Sequence, residues 1–256
     1  VDHPRSLTFR DVTALPTITR YQTLECISND IGGDLISNGQ WTGVLFKDLF
    51  GPAGVKASAA WVNFTALDGF TESLPLGEML NGIAMLAHSL DGSYLTAKHG
   101  APARLLTFNR YGMKQPKWIQ KIELAASPIT GFWEQQGWDN EAIVRTNARI
   151  DVPKGGNVAA NRQTLVAGIA FAGSRGIAKV EVTADGGKSW GMAELEPVLA
   201  PSTWARWVYA WTPRATGNVT LMTRATDGTG TAQPEQPADS FPKGPDGYAQ
   251  ASVQVV

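Results

Sequence analysis

The sequence predicts an α+β domain over residues 1–150, followed by an all-β immunoglobulin-like sandwich over residues 151–256. Three observations predict it. Short helical and extended patterns alternate through the first part. The turn-forming stretch Asp151-Val-Pro-Lys-Gly-Gly-Asn157 then breaks the pattern. Beyond it, short apolar or alternating runs are separated by turn residues, the signature of an antiparallel sandwich.

Taken in order, Ser6-Leu-Thr-Phe-Arg-Asp-Val12 reads as the entry to a short helix, with Ser6 as its polar start. Leu45 to Phe50 reads as a second, stopped by Gly51-Pro52. Leu74 to Leu80 reads as a third, with Pro75 in its first turn. The apolar run Ile83 to Leu90 ends at Asp91-Gly92, a strong hairpin signal. Arg104 to Phe108 and Trp118 to Leu124 read as strands. In the second part, Leu165 to Phe171 is apolar. Ile177 to Thr183 alternates with period two, and Asp185-Gly-Gly187 turns the chain. Trp204 to Trp211, Val219 to Arg224 and Ala251 to Val256 complete the set of strands. No Cys pair joins them, so the domain is not of the antibody type. The aromatic segment around Trp207 reads as core more readily than as an interface.

The chain has 256 residues, 43% hydrophobic and 18% charged, a globular composition. Its 22 Lys and Arg balance 23 Asp and Glu, for a net charge of -1. That balance, with no basic run interleaved with aromatics, points to no nucleic-acid partner. No apolar stretch approaches the roughly 20 residues of a membrane helix. The chain begins Val1-Asp2-His3-Pro4 and reads as a mature form or a piece of something longer. The Asn-x-Thr matches at Asn63 and Asn218 occur by chance often enough to carry no weight.

Cys26, the single cysteine, stands before the polar, glycine-containing stretch Ile-Ser-Asn29-Asp-Ile-Gly32-Gly33. A lone Cys is most often a small core hydrophobe. A turn at its edge is, however, where reactive groups are presented, and a soft thiolate suits a transition metal. Pairing with His88 or His99 as a thiol nucleophile is open on paper. Zinc is disfavoured, because one Cys and three His show neither CxxC nor HExxH spacing. GxGxxG, Walker A and GxSxG patterns are absent. His99-Gly-Ala-Pro-Ala-Arg104 places a cationic fork near an imidazole, a pairing that suits phosphate; a surface salt bridge explains Arg104 equally well. Tyr111-Gly-Met-Lys114-Gln-Pro-Lys117-Trp118 adds two cations and a turn.

Together these stretches resemble the sulfite-oxidase-type family of molybdopterin-dependent oxidoreductases. The resemblance rests on Thr23-Leu-Glu-Cys26-Ile-Ser-Asn29 through Trp41-Thr-Gly43, on His99 to Arg104, and on Tyr111-Gly112 through Lys117-Trp118. Gly168 to Val182 with Asp185-Gly-Gly-Lys-Ser-Trp190, and then Arg224-Ala-Thr-Asp-Gly228, extend it to the end of the chain. It implies a molybdopterin-binding first domain of sulfite-oxidase type and an immunoglobulin-like second domain of the kind that mediates dimers. It implies Mo-molybdopterin as cofactor, with Cys26 as the thiolate ligand of the metal. His99 and Arg104 match positions that hold the pterin phosphate. Gln115, Pro116 and Lys117 match a segment lining the pterin, and Asp68 matches a further contact. The chemistry implied is two-electron oxygen-atom transfer on a small molecule.

Departures from the family pattern bear on the substrate. Ile31 stands where sulfite oxidases have an arginine five residues after the ligand Cys. Trp138 stands where an active-site Tyr is expected, and Gln135 and Gln136 replace arginines before it. A pocket stripped of fixed cations is a poor sulfite or nitrate site. The expectation is a neutral S-oxide or N-oxide, with Trp138 at the active site. A further pterin-contacting loop usually precedes the ligand Cys and is not within these residues, so whether this stretch alone retains cofactor stays open. The resemblance also implies an extracytoplasmic (periplasmic) domain of a membrane-anchored protein, anchored only through an upstream segment. With no CxxCH haem motif in the chain, electrons would pass to or from a separate protein or domain. The competing reading is a non-catalytic binding module that keeps the fold.

Overall fold

The computed structural model describes residues 1–256. Its helices are short: α1 (Phe9–Thr13), α2 (Phe46–Phe50) and α3 (Leu76–Leu80). The strands are β1 (Thr17–Glu25), β2 (Ile36–Leu45), β3 (Trp61–Ala66), β4 (Thr71–Pro75), β5 (Met85–Leu90), β6 (Ser93–Tyr94), β7 (Arg104–Leu106), β8 (Ile119–Ala125) and β9 (Asn147–Val152). They continue with β10 (Asn157–Val158), β11 (Thr164–Phe171), β12 (Ile177–Thr183), β13 (Gly191–Met192), β14 (Glu194–Leu195), β15 (Ala205–Trp211), β16 (Gly217–Asp227) and β17 (Ala249–Val255). No helix is long and apolar enough to cross a membrane.

The chain forms two compact units, residues 1–24 with 39–142 and residues 25–38 with 143–256. The first is α+β. One sheet runs β1-β2-β5-β6 with β7 also on β5, and a second runs β4-β3-β8. Val62 and Phe64 of β3, Leu74 of β4 and Leu105 of β7 meet Phe46, Phe50 and Met79 of the short helices in one buried cluster. Burial of each such side chain contributes about 1.5–3 kcal/mol, which holds helices too short to persist alone. The expected α1 is present, but its cap is Thr8 rather than Ser6. The Thr8 hydroxyl accepts from Asp11 N, and the Asp11 carboxylate accepts from Thr8 N at 2.8 Å. Pro75 is the residue capping α3. The Asp91-Gly92 hairpin joins β5 to β6 with both residues at positive φ, as its two-residue turn requires.

The second unit is the expected sandwich. Its sheets run β14-β15-β11-β9 and β10-β17-β16-β12-β13. Val166, Trp207 and Trp211 from one sheet and Val180, Val182, Leu221 and Val253 from the other share one core. Trp207 therefore belongs to the interior. The Arg224 to Gly228 motif has a structural reason. The buried Asp227 carboxylate accepts from Thr146, Arg175, Thr229 and Thr231. Burial alone would raise its pKa, and these donors outweigh burial and hold it well below the usual carboxylate range.

The boundary lies earlier than residues 150/151. β9 pairs with β11 in the sandwich, so the chain joins the second unit at residue 143 and Asp151 already sits in a strand. The segment 25–38, with Cys26, also clusters with the second unit. Gly168 marks the bulge between β11 and β9. A Cβ there would lie 1.8 Å from the Arg149 carbonyl oxygen. Gly168→Ala is expected to lower stability by about 3 kcal/mol, at the upper end for overpacking. Denaturant midpoints check this, and a loss below about 1 kcal/mol would show that the bulge relaxes freely.

Candidate active site

Cys26 follows directly on β1. Its N–H donates to the Leu35 carbonyl at 3.0 Å, and its own carbonyl accepts from Asn29 N at 3.0 Å. The loop between is held by Asn29, whose Oδ1 accepts from Leu35 N at 2.8 Å while its Nδ2 donates to Glu25 at 2.9 Å. Glu25 also accepts from Asn147 Nδ2 at 3.1 and 3.2 Å. Burial pushes the Glu25 carboxyl up to about 7, against the pull of Asn29, Asn147 and Arg149. The Cys26 thiol is part-exposed, and its Sγ lies 3.0 Å from the Ser28 hydroxyl. The loop therefore presents an accessible sulfur on a fixed backbone, which the core-cysteine reading does not describe. Ile31 in the same loop is exposed at 37%. Arg149 is the cation this loop meets, and it is committed to the Gly33 carbonyl and to Asp151.

Within the first unit a cavity of about 230 Å³ gathers Asp68, Arg104, Gln115, Pro116 and Lys117, with Phe70, Gly112, Met113, Trp118 and Trp133. β7 delivers Arg104, and the turn after the one-turn helix Gly112–Lys114 delivers the Gln115-Pro116-Lys117 segment. The two are stitched together: Leu105 N donates to the Pro116 carbonyl at 2.9 Å, and Arg104 Nη2 donates to the Gln115 carbonyl at 3.2 Å. Gly100 has a φ of +104°, and a Cβ there would press on Arg104 and Lys117 at 3.0 Å. Glycine keeps that edge of the cradle open.

Arg104 is buried, and its contacts are carbonyls (His99 at 3.4 Å and Gln115) and the Trp41 ring, 5.4 Å away. No carboxylate pairs with it. Its buried Nε has no partner. The surface salt bridge considered for it is thus excluded. Desolvation lowers its pKa to about 10. Burial, then the charge of Arg104, also lowers the Lys117 pKa, with Asp68 acting in the opposite sense. Two cations that lack a buried anion form a donor set that fits a phosphate-bearing group.

The His99 ring lies outside this cradle. It is exposed and bonds Thr96 at 3.0 Å, and only its carbonyl meets Arg104. Trp138 is part-exposed in the loop that carries Trp133 and does not line the cavity. The lining aromatics Trp133 and Phe70 were not legible as such, although Trp133 stands in the same aromatic loop as Trp138. His88 is a buried strand residue of β5 bonded to Ser89, away from any thiol role.

A family model described as an oxidoreductase molybdopterin binding domain matches residues 1–133, and one described as a Mo-co oxidoreductase dimerisation domain matches residues 139–241. The chain is 36% identical over 138 residues to an uncharacterised oxidoreductase, YuiH, of Bacillus subtilis, covering 54% of this chain and 68% of that protein. It is 24% identical over 293 residues to the sulfite oxidase of Arabidopsis thaliana, covering 92% and 75%. It is also 30% identical over 139 residues to a putative protein-methionine-sulfoxide reductase subunit, YedZ1, of Azospira oryzae, covering 54% of this chain but about half (51%) of that protein. The sulfane dehydrogenase SoxCD of Paracoccus pantotrophus superposes with a TM-score of 0.81 at 23% identity, over 91% of this chain and 67% of that one, and so shares the fold. The chain belongs to the sulfite-oxidase-type family of molybdopterin-binding oxidoreductases.

Proposed function

We propose that this oxidoreductase binds Mo-molybdopterin and reduces a small S-oxide or N-oxide rather than oxidising sulfite. The cofactor supplies two-electron oxygen-atom transfer when bound. Cys26 Sγ serves as the metal's protein thiolate. Arg104 and Lys117 neutralise the phosphate, Gln115 and Pro116 position the pterin by their backbone, and Asp68 orients Lys117. His99 contributes through its carbonyl contact with Arg104, and Trp138 belongs to the substrate end. The observation that carries the reading is the buried, unpaired Arg104. A degenerate binding module has no use for a buried cation that no carboxylate neutralises.

The substrate class rests on charge. The loop after Cys26 holds Asp30, Ile31 and Asp34, and its one cation contact, Arg149, is already committed. Such a surface repels sulfite and tolerates a neutral oxide. The name of the Azospira relative points to the same chemistry. We further propose an extracytoplasmic domain of a membrane-anchored protein, a separate electron-transfer partner, and homodimer formation through the second unit. The dimerisation-domain match supports the last of these.

The experiment is molybdenum and pterin analysis of the full-length protein from a host that makes the cofactor. Turnover of S-oxides, N-oxides and sulfite is then measured with redox dyes. Near-stoichiometric metal with S-oxide or N-oxide reduction is expected. Efficient sulfite oxidation would refute the substrate class, and a metal-free protein would favour the binding module.

A further inference from the structure

Lys114 is the neighbour of two cavity-lining residues, Met113 and Gln115, yet its own side chain is 2% exposed and turned to a different task. Its Nζ lies 2.5 Å from Glu72 Oε1 and 2.7 Å from Glu134 Oε1. Both carboxylates are as buried as the lysine, at 1% and 4%. Glu72 stands on β4, two residues after the lining Phe70, and Glu134 follows the lining Trp133. One ammonium therefore ties together three chain segments, each of which supplies a wall of the cavity.

The charges do not cancel. One cation and two carboxylates leave a net negative charge where water hardly reaches, which is costly unless a proton joins them. The structure holds places for it: Glu72 Oε2 and Glu134 Oε2 are both buried and both without a hydrogen-bond partner. Glu72 Oε1, by contrast, is occupied by Lys114 and by Ser73 N at 2.7 Å. Space is kept at the cluster by Gly131, where a Cβ would meet Glu134 Oε2 at 2.1 Å and Glu72 Oε1 at 3.0 Å. The ionisable groups facing Glu72 are Lys114, from the Gly112–Lys114 turn, and Glu134. On β8, beyond β3 in the same sheet, Lys121 and Glu123 pair with each other at the surface.

We infer that Glu72, Lys114 and Glu134 form a clamp that holds one proton and positions the Phe70, Met113 and Trp133 walls of the cavity, and that losing the proton loosens those walls. The proton leaves to solvent, and the two carboxylates then repel across Lys114. Burial raises the Glu72 pKa to about 7 against the pull of Lys114, with Glu134 adding to the rise, so the change falls near neutrality. Lys114 is a positioning residue here and touches no reacting atom. The clamp stands on its own geometry, whichever ligand the cavity takes.

The test is a pH titration of the cofactor-free protein, followed by infrared spectroscopy and by tryptophan emission in parallel. The wild type is expected to show the carbonyl stretch of a protonated carboxyl at acidic pH. That band should fade through a midpoint near 7, with the Trp133 component of the emission (wild type minus Trp133→Phe) moving at the same midpoint. In Glu72→Gln or Glu134→Gln the remaining carboxylate pairs one-to-one with Lys114. The emission shift and this cluster's share of the band (wild type minus variant) should then vanish, leaving the Glu25 carboxyl, which also lies near 7, although the protein stays folded. Lys114→Arg should restore the pH dependence that Lys114→Met loses. A titrating band that is identical in the wild type and in Glu72→Gln overturns the proposal, because it then belongs to Glu25 alone. So does a band that titrates while Trp133 emission stays constant, since the proton would then have no effect on the wall. Loss of molybdenum binding would leave both readouts untouched, so failure of the cofactor assignment and failure of the clamp are separable.

Discussion

Cys26→Ser in the full-length, cofactor-loaded protein is expected to reduce molybdenum content to background and turnover by well over about 100-fold, more than is lost on changing a group that only orients a metal ligand. The serine hydroxyl is isosteric but stays protonated near neutral pH, and its oxygen is a harder donor than a thiolate. The fold should not notice. The backbone of residue 26 keeps its bonds to Leu35 and Asn29, and the Sγ···Ser28 contact passes to another hydroxyl. Stability is therefore expected to stay within about 0.5 kcal/mol of wild type, as for a part-exposed site. Metal analysis and thermal melts read the two effects separately. Full molybdenum occupancy in the serine variant would remove Cys26 from the metal. A large fall in stability would instead return Cys26 to the ordinary role of a packed core thiol.

The sequence made the sandwich more legible than the first unit, for a physical reason. β12 and β16 alternate buried and exposed residues over an apolar core, so period two survives in the residue types themselves. β1 and β2 are harder to see. β1 (TITRYQTLE) buries Gln22, Thr23 and Glu25, polar groups that only partners distant in sequence can satisfy, such as the Thr107 carbonyl for Gln22 and Asn147 for Glu25. No local pattern encodes those partners. The same holds for the boundary. Asp151-Val-Pro-Lys-Gly-Gly-Asn157 has the composition of a linker, but the pairing of Arg149 with Ile169 places the preceding residues in the sandwich.

The candidate site was legible as chemistry but not as geometry. Asp68, Arg104, Gln115, Pro116 and Lys117 line one cavity, although 49 positions separate the first from the last. What the residue types could not tell is that Arg104 is buried and His99 is not. That difference depends on Gly100 and on the β7 pairing, which lay the arginine under Trp41 and leave the imidazole outside. The Lys114 cluster was hidden for a related reason. Its three members read as ordinary surface charges until the fold brings Glu72, Lys114 and Glu134 together.

Arg104→Met separates a binding role from a structural one by the sign of its effects. In the cofactor-free protein burial holds the guanidinium below its usual range, at about 10. Without a carboxylate to offset that desolvation, the charge costs folding on the order of 3 kcal/mol. The sign is that of a depressed cation: the penalty is fully present at neutral pH and fades only as pH rises through the folded pKa near 10. Methionine of similar length removes it, while the carbonyls of His99 and Gln115 each lose a donor at about 1 kcal/mol. The balance favours the variant, by about 1 kcal/mol in urea unfolding of the cofactor-free form. Binding moves the other way. Loss of a charge-assisted, fork-shaped donor to phosphate is expected to remove about 3 kcal/mol of cofactor affinity, more than 100-fold, and pterin content should fall with it. Arg104→Lys, which keeps the charge but not the fork, should fall between the two in affinity. A buried arginine serving only the fold would give the opposite pair of results, a destabilised protein with its pterin intact. A gain in stability together with a loss of pterin is thus the pair of results that would assign Arg104 to an anion rather than to the fold.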